Sequence, residues 1–365
     1  MVRSGFCWDR FTCNALLNLY SKCGYIASAT KLFEEMPDHD VVSWTALIMG
    51  LAASGFERDA FDAFHSMRVL KVEPNSFTFG SLIGSCASFN ALQRGKQYHA
   101  LTVKYGLELD TVVGSALLDM YSKCGEMNEA MRLFQSLPTR DLVSWNGMIC
   151  GLAQNGEAIK ALDLFNEMVR RHQDVVTPDS VTFVGVLTAC SHGGLVYRGL
   201  TYFNDMFHKY SIKPQHEHYA CIVDLLARAG LLKQAESFIH ALPFEPDRVI
   251  LNALLGACRS HGDLEMAKGL AQQLTLDEPK NSSTYALLAN MHSANGEWKD
   301  AMDVRETMCT NGALKVKGSS WIEISGHVHS FSSGHTHHPQ EKLIYEVLQR
   351  LLQMMTDEGY KWSME

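Results

Sequence analysis

Short amphipathic runs alternate with turns along most of the chain. One kind of run is typified by residues 14–20, Asn-Ala-Leu-Leu-Asn-Leu-Tyr, where apolar residues dominate one helical face. The other kind has an alanine four residues before a phenylalanine, which puts both on one face and lets a neighbouring helix approach the small residue. These pairs are Ala29/Phe33, Ala60/Phe64, Ala130/Phe134 and Ala161/Phe165, and Gly24, Gly55, Gly125 and Gly156 lie between runs. The pattern predicts helix-turn-helix units with glycine at helix ends.

The pattern also returns after about 101 residues. Residues 20–24, Tyr-Ser-Lys-Cys-Gly, recur unchanged at 121–125, and Val-Ser-Trp at 42–44 recurs at 143–145. Self-similarity at a fixed period marks a repeat array, and this period holds about three helical hairpins of roughly 34 residues. The sequence therefore predicts an all-α fold, a right-handed α-solenoid of helix-turn-helix repeats.

Aligning the repeats predicts the unit boundaries. Residues 1–9 match the end of a later unit, so we expect the chain to begin inside a unit and to be a piece of a longer product. Two degenerate units are expected at 248–318 and an extension at 319–365. A few extra residues near Arg171, His172, Gln173 and Asp174 lengthen one unit. The seven full units are 10–40, 41–75, 76–110, 111–141, 142–179, 180–215 and 216–247.

The extension has a different pattern. Residues 320–331 alternate around Ser325-Gly326, which predicts a β-hairpin. His338-Pro339 is expected to open a helix, because proline suits a first helical turn. That helix carries an apolar stripe, Leu343, Val347, Leu351 and Met355. We favour a helix docked on the last repeat; the alternative is an exposed partner-binding surface.

Composition limits the function. The chain has 365 residues, 46% hydrophobic and 20% charged, and a net charge of −8. This charge has the wrong sign for bulk attraction to phosphate, so nucleic-acid binding would need a local groove. A run of 18 or more apolar residues is absent, so no membrane partner is expected. The ten cysteines form no C-x-x-C pair, and Cys23, Cys86, Cys124, Cys190 and Cys258 recur at repeat positions, which predicts packing roles in a reducing compartment.

The repeated motifs resemble those of a known family. Three stretches are similar to pentatricopeptide repeats: residues 42–48 (Val-Ser-Trp-Thr-Ala-Leu-Ile), the Tyr-Ser-Lys-Cys-Gly motif and residues 218–226. The unit lengths of about 31, 35 and 35 residues resemble those of the plant PLS subclass. Residues 248–318 resemble the two E repeats, and residues 318–339 the E+ (PG-box) segment. The resemblance covers nearly the whole chain. It implies sequence-specific binding of organellar single-stranded RNA, usually for C-to-U editing.

The resemblance also implies which residues contact bases, namely the fifth and the last of each unit. For any single Asn or Asp the alternative is a helix cap or turn residue. In the family, Asn/Asp prefers uracil, Thr/Asn adenine and Thr/Asp guanine, which Ser/Asp resembles. The pairs are Asn14/Asp40, Thr45/Asn75, Ser115/Asp141 and Asn146/Asp179, with Gly80/Asp110, Val184/Gln215 and Ala220/Asp247 in variant units where the code is weak.

Three cations share the thirteenth position of the short units. Lys22, Lys123 and Arg228 are expected on the groove side of the first helix. They are candidate phosphate contacts, and solvated surface residues are the equal alternative.

Catalytic motifs are missing from the sequence. A zinc cytidine deaminase needs H-x-E and a downstream P-C-x-x-C, and the chain has neither; its last cysteine is Cys309. We therefore expect no enzyme activity and no cofactor. The histidines His327, His329, His335, His337 and His338 are interpreted as polar hairpin surface rather than a metal site, because no thiol or carboxylate at suitable spacing joins them.

Two classes of function stay open. The leading hypothesis, from the resemblance, is an RNA-specificity factor of mitochondria or chloroplasts that recruits a deaminase-bearing DYW-type protein, or another editing factor, through residues 248–365. DNA is not an expected partner. The alternative is a peptide-binding helical scaffold of the tetratricopeptide kind, which the acidic charge would suit. A peptide groove has no reason to place Asn/Asp and Thr/Asn pairs at these two positions.

Overall fold

Polar side chains start most of the first helices of the predicted units. Asp40 Oδ1 accepts from the backbone N–H of Ser43 at 2.9 Å, and Asp179 Oδ1 accepts from that of Thr182 at 2.9 Å. Such caps satisfy backbone donors that lack a partner within the helix. At the other end, Gly24 (φ +75°) and Gly125 (φ +79°) take the left-handed conformation that ends these helices. The glycines were predicted in this role.

The structure is a computed structural model that describes residues 9–171, 176–315, 318–324, 327–332 and 340–357. It contains the predicted helix-turn-helix series followed by a hairpin and a helix. The elements are α1 Arg10–Lys22, α2 Ile26–Glu35, α3 Val41–Ala53, α4 Glu57–Val69, α5 Ser76–Phe89, α6 Leu92–Lys104, α7 Thr111–Lys123, α8 Met127–Ser136, α9 Leu142–Gln154, α10 Ala158–Arg171, α11 Ser180–His192, α12 Val196–His208, α13 His216–Arg228, α14 Leu232–His240, α15 Arg248–His261, α16 Leu264–Asp277, α17 Ser282–Ala294, α18 Trp298–Thr310, β1 Ser319–Ile324, β2 His327–Ser332 and α19 Glu341–Asp357.

The helices form two rows. Each odd-numbered helix from α1 to α15 packs on the next odd-numbered helix with close backbone approach. Successive even-numbered helices meet through side chains, as Phe64 of α4 and Tyr98 of α6 do with ring centroids 5.8 Å apart. Because the odd row is more closely spaced, the array curves with that row on its concave side. The predicted α-solenoid is confirmed. The division of the chain into short, standard and variant units stays a prediction.

The alanine–phenylalanine pairs form the core between the two rows. All eight residues of the four pairs are buried. Phe134 meets Trp145 of the next helix edge-to-face, with ring centroids 5.0 Å apart, a geometry that aromatic rings favour. This packing role was predicted from the spacing.

The cysteines divide by position. Cys86, Cys190 and Cys258 are buried as predicted, and burial raises the pKa of the Cys258 thiol to about 11. The predicted packing role is wrong for Cys23, whose side chain is exposed. Cys23 is the residue that caps the end of α1, beyond the buried face of that helix.

The C-terminal elements stand apart from the repeats. The predicted hairpin is present, with Ser320 opposite Phe331 and Ile322 opposite His329. The expected docking of the last helix is wrong, because α19 contacts no other described helix or strand. Its stripe, Leu343, Val347, Leu351 and Met355, is 43–58% exposed. None of the helices in the described ranges is long and apolar enough to cross a membrane.

Several expectations lie outside the described residues. These are the partial unit at residues 1–8, the extra residues at His172, Gln173 and Asp174, the hairpin turn Ser325-Gly326, and the helix start at His338-Pro339.

Candidate nucleic-acid interface

A groove runs along the concave side, where the odd-numbered helices begin. Between the starts of α1, α3 and α5 it forms a cavity of about 900 Å³. Its lining joins the candidate base-reading residues of two units to three exposed apolar residues. These are Asn14, Asp40, Thr45 and Asn75, with Phe11, Val42 and Phe77.

The two Asn/Asp pairs meet directly. Asn14 Nδ2 donates to Asp40 Oδ1 at 3.2 Å, and Asn146 Nδ2 donates to Asp179 Oδ1 at 3.0 Å. The fifth residue of a unit thus touches its last residue, because the last residue caps the adjacent odd-numbered helix. The carboxylate fixes the amide orientation, since an amide oxygen in that place would be repelled.

The two asparagines differ at their oxygen atoms. Asn146 Oδ1 accepts from the hydroxyl of Thr182 at 2.6 Å, and Asn146 is only 8% exposed. Asn14 Oδ1 is buried and has no hydrogen-bond partner among the residues that the structure describes. The same residue pair therefore has two different hydrogen-bond environments.

The Thr/Asn pair is joined through a third side chain. Thr45 Oγ1 lies 2.7 Å from Thr78 Oγ1, which lies 3.0 Å from Asn75 Oδ1. Thr78 is the third residue of the unit that follows Thr45. The pair is therefore linked without a direct bond between Thr45 and Asn75.

The structure does not bring every predicted pair together. Asp141 Oδ1 accepts from Ser144, from its N–H at 2.9 Å and its hydroxyl at 2.6 Å. Ser115 makes no side-chain hydrogen bond among the described residues. The serine hydroxyl is shorter than the asparagine amide that spans the same gap elsewhere in the array.

In two of the variant units the last residue lies at the start of the next odd-numbered helix and bonds within that helix start. Asp110 Oδ1 accepts from the N–H of Val112 at 2.9 Å, and the Gln215 N–H donates to His218 Nδ1 at 3.0 Å. Gly80 and Val184 offer no polar side-chain atom opposite them. These two units present little chemistry for distinguishing bases.

The aspartates of the groove are held ionised. Burial acts to raise the pKa of Asp40, but hydrogen bonds from Ser43 and Asn14 and the charge of Arg10 outweigh it and hold the pKa below its usual value. Burial is likewise outweighed at Asp179, where hydrogen bonds from Thr182 and Asn146 lower the pKa. Both carboxylates therefore act only as acceptors near neutral pH.

The three candidate phosphate contacts are not equivalent. Lys123 Nζ lies 2.8 Å from Asp119 Oδ2, and Arg228 Nε lies 2.8 Å from Asp224 Oδ2, each on its own helix. The corresponding residue before Lys22 is Asn18, and the Lys22 side chain makes no ion pair among the described residues. Its charge is the least neutralised of the three.

Sequence reasoning missed a row of exposed apolar residues. The second residue of a unit lies on the helix face of the fifth, three positions away. Phe11 is 82% and Phe77 63% exposed. The available signal was an apolar residue recurring on an otherwise polar face. The row consists of Phe11, Val42, Phe77, Val112, Val143, Val181 and Val249.

It also missed a basic residue next to two of the aspartates. Arg10 Nε lies 3.8 Å from Asp40 Oδ2, and His216 Nε2 lies 2.9 Å from Asp247 Oδ2. Both are the first residue of a short unit that ends in aspartate. This pairing of first and last residues was the signal in the sequence that could have identified them.

Comparison with protein-family models finds repeats and a C-terminal motif. A PPR repeat model matches residues 11–41 and 115–142, and a PPR repeat family model matches residues 39–88 and 140–192. An E motif model matches residues 261–323.

Curated relatives come from Arabidopsis thaliana. The chain is 38% identical over 372 residues to pentatricopeptide repeat-containing protein At3g57430, chloroplastic, covering 99% of the chain and 42% of the relative. It is 38% identical over 359 residues to At3g53360, mitochondrial, covering 98% and 46%. It is 40% identical over 360 residues to At4g30700, covering 99% and 45%. The chain thus spans less than half the length of these relatives.

Solved structures share the fold. The pentatricopeptide repeat protein PPR10, in a crystal structure with an 18-nt psaJ RNA element, superposes with a TM-score of 0.68 at 19% identity, covering 86% of this chain and 47% of PPR10. A crystal structure of PPR10 from maize gives a TM-score of 0.50 at 18% identity, covering 96% of this chain and 49% of PPR10.

Proposed function

Because the chain belongs to the pentatricopeptide repeat family, we propose that it binds single-stranded RNA in its concave groove and recognises the base sequence one unit at a time. A solved relative of the same fold, PPR10, was crystallised with an 18-nt RNA element. One base per repeat is a known mode of RNA recognition by helical repeats.

One observation carries the proposal. The fifth and last residues, far apart in sequence, meet at the groove in hydrogen-bonded Asn14–Asp40 and Asn146–Asp179 pairs. Each pair sets amide and carboxylate atoms within reach of one base edge. Hydrogen bonds to base edges are what distinguish bases in single-stranded RNA.

The exposed apolar row supplies the second element of binding. Phe11, Val42 and Phe77 stand beside the pairs in the same cavity. Apolar and aromatic side chains pack against the flat faces of unstacked bases. Stacking on an aromatic side chain contributes about 1–3 kcal/mol per base. Stacking is independent of sequence, so this row would give affinity while the pairs give specificity.

The proposed readout runs with the N-terminal units toward the 5′ end. Uracil is assigned to Asn14/Asp40, adenine to Thr45/Asn75, guanine to Ser115/Asp141 and uracil to Asn146/Asp179, with no assignment for Gly80/Asp110. The expected element is 5′-U-A-N-G-U-3′ for residues 10–179. Val184/Gln215 and Ala220/Asp247 add little selectivity, and Lys22, Lys123 and Arg228 are proposed to contact phosphates.

A binding titration tests the proposal. The full chain should bind a fluorescent RNA containing 5′-UAUGU-3′ more tightly than the same length of scrambled RNA. The matching DNA and the RNA duplex should bind weakly, because the groove accommodates splayed bases. Equal affinity for the scrambled RNA, or binding of peptides in place of RNA, would refute it and favour the helical scaffold.

We further propose that the chain is an organellar specificity factor for C-to-U editing. Support comes from the E motif match at residues 261–323 and from relatives named chloroplastic or mitochondrial. The matched models describe repeats and an E motif rather than a catalytic domain. The deaminase, a DYW-type protein or another editing factor, would be recruited through residues 248–365, where α19 exposes its apolar stripe.

A further inference from the structure

The third residue of a unit occupies a particular place beside the groove. In the units that start at 76 and 180 it is Thr78 and Thr182. Each threonine hydroxyl lies within hydrogen-bond distance of the last residue of the preceding unit, Asn75 at 3.0 Å and Asp179 at 2.9 Å. Each also reaches the fifth residue of that unit, Thr45 at 2.7 Å and Asn146 at 2.6 Å.

Serine in this position behaves differently. The Ser43 hydroxyl bonds only to Asp40, and the Ser144 hydroxyl bonds only to Asp141, within the described part of the chain. The threonines therefore connect both base-reading residues of a unit, whereas the serines only support the cap.

We propose that Thr78 and Thr182 are specificity-determining positioning residues, which fix the hydrogen-bonding atoms that Thr45 and Asn146 present to an RNA base. The inference rests on the proposed RNA-binding function and adds a third residue to each recognition pair.

Proton accounting gives the direction at Thr45. Thr78 Oγ1 accepts from the Asn75 N–H at 3.3 Å and has one proton of its own. Only one arrangement satisfies every contact: Thr78 donates to Asn75 Oδ1, and Thr45 donates to Thr78. Thr45 then has no proton left and faces the groove as an acceptor.

The resulting pattern matches adenine. Asn75 Oδ1 is also bonded by the Thr78 N–H at 3.0 Å, which leaves the amide nitrogen of Asn75 as a donor. An acceptor beside a donor complements the adenine edge, where the N6 amino group stands beside the N1 acceptor. Guanine has the opposite order, the O6 acceptor beside the N1–H donor.

At Asn146, the Thr182 hydroxyl limits how well the unit can distinguish between bases. Asn146 gives one N–H to Asp179 and receives the Thr182 hydroxyl at its oxygen. Its remaining N–H fits an acceptor of uracil, O4, or of cytosine, N3. The Thr182 hydroxyl takes one of the two acceptor positions of the Asn146 oxygen, which leaves a single position for the uracil N3–H. We therefore expect this unit to separate uracil from cytosine less well than an asparagine whose oxygen accepts from no other side chain.

The test uses the full chain and changes only the hydroxyl. Thr78→Val, Thr182→Val and Ser144→Ala are titrated with RNAs that vary the base opposite each unit, and thermal unfolding checks that each variant is folded. Thr78→Val should lower the preference for adenine over guanine at the second base by about fivefold, the value of one hydrogen bond. Thr182→Val should raise the preference for uracil over cytosine at the fifth base by a similar factor, because the uracil N3–H no longer shares Asn146 Oδ1 with the Thr182 hydroxyl.

Ser144→Ala is the matched control. It removes a capping hydroxyl that does not touch Ser115, so base preference at the fourth base should stay as in the wild type. The inference is overturned if both valine variants weaken binding of every RNA in the set by one common factor, or if they leave all the affinities unchanged. If one of them unfolds, the other decides. A wild-type chain that binds no RNA would instead refute the proposed function itself.

Discussion

At Asn146, the amide orientation depends on two neighbours at the start of α11, more than 30 residues away in sequence. Asp179 accepts from its nitrogen and Thr182 donates to its oxygen. A buried polar group held on both sides has few alternative rotamers, so it presents the same atoms to every ligand. Rigid presentation of this kind fixes which hydrogen-bonding atoms of a base the unit can match.

Exchanging this amide for a hydroxyl should change the preferred base. Asn146→Thr makes the unit a Thr/Asp pair, which resembles the family's guanine type. On an RNA with uracil at the fifth base, binding should weaken by about 1–3 kcal/mol, the usual cost of one mismatch in protein–DNA sites. Guanine at that base should restore much of the loss. Titration against four RNAs that differ only there measures this; equal weakening of all four would mean that Asn146 has only a structural role.

The carboxylate of Asp179 should make part of the stability depend on pH. Its pKa is lowered from the usual 3.8 in the folded chain, so its stabilising contribution is present above the unfolded pKa and is lost as pH falls through the folded pKa. The difference in unfolding free energy between wild type and Asp179→Asn should stay constant from about pH 5 to 8 and shrink below about pH 4. Urea denaturation across this range measures it. A difference that stays constant down to pH 2 would contradict the expectation.

The odd-numbered helices place equivalent residues in different electrostatic surroundings. In α7 and α13 the cation near the C-terminal end pairs with an aspartate one turn earlier, Lys123 with Asp119 and Arg228 with Asp224. In α1 the earlier residue is Asn18. Helix geometry fixes the spacing of four residues, and the residue type there decides how much of the cation's charge is neutralised.

These surroundings predict unequal effects on RNA binding. Lys22→Ala should reduce the slope of log affinity against log salt by about 0.7, the value for one phosphate contact on a single strand. Lys123→Ala should reduce the slope less, because Asp119 already neutralises part of its charge. Asp119→Asn is the control and should strengthen binding of all RNAs. Identical slopes for wild type and Lys22→Ala would remove Lys22 from the list of phosphate contacts.

Over the whole molecule, the proposed RNA binding and the proposed recruitment involve separate segments. The base-reading pairs lie before residue 248, and the exposed stripe of α19 lies in the last 25 residues. A solenoid transmits few contacts beyond neighbouring units, so changes at one end leave the other end largely intact. The net charge of −8 makes non-specific phosphate binding weak.

Removing residues 319–365 should therefore separate the two proposed activities. RNA affinity should stay within about twofold of the full chain, because stability in a repeat array is local. Retention of a deaminase-bearing partner in a pull-down should be lost. The variant Val347→Asp in the full chain is tested alongside the truncation, because it places a charge in the apolar stripe and leaves the rest of the chain unchanged. A truncated chain that still retains the partner would locate recruitment in the repeats.

The repeat array followed from the sequence because it depends on local spacing, and the candidate base-reading residues followed from the resemblance of the repeats to a known family. The return of Tyr-Ser-Lys-Cys-Gly after about 101 residues and the alanine–phenylalanine pairs predicted a solenoid, whose core is built from those pairs. The resemblance names the fifth and the last residue of a unit, and counting along the helical repeats then locates them in this chain. Their numbering therefore needed no tertiary information.

Tertiary structure decided which of these residues touch. Asn14 reaches Asp40 and Asn146 reaches Asp179, whereas Ser115 makes no such bond to Asp141, and Thr78 joins Thr45 to Asn75. Whether a hydrogen bond forms depends on side-chain length and on differences of a few tenths of an ångström in the distance between packed helices. The spacing of residues along the sequence predicts neither of these distances. The exposure of Phe11 and Phe77 and the open stripe of α19 likewise depend on which surfaces the packed helices leave uncovered.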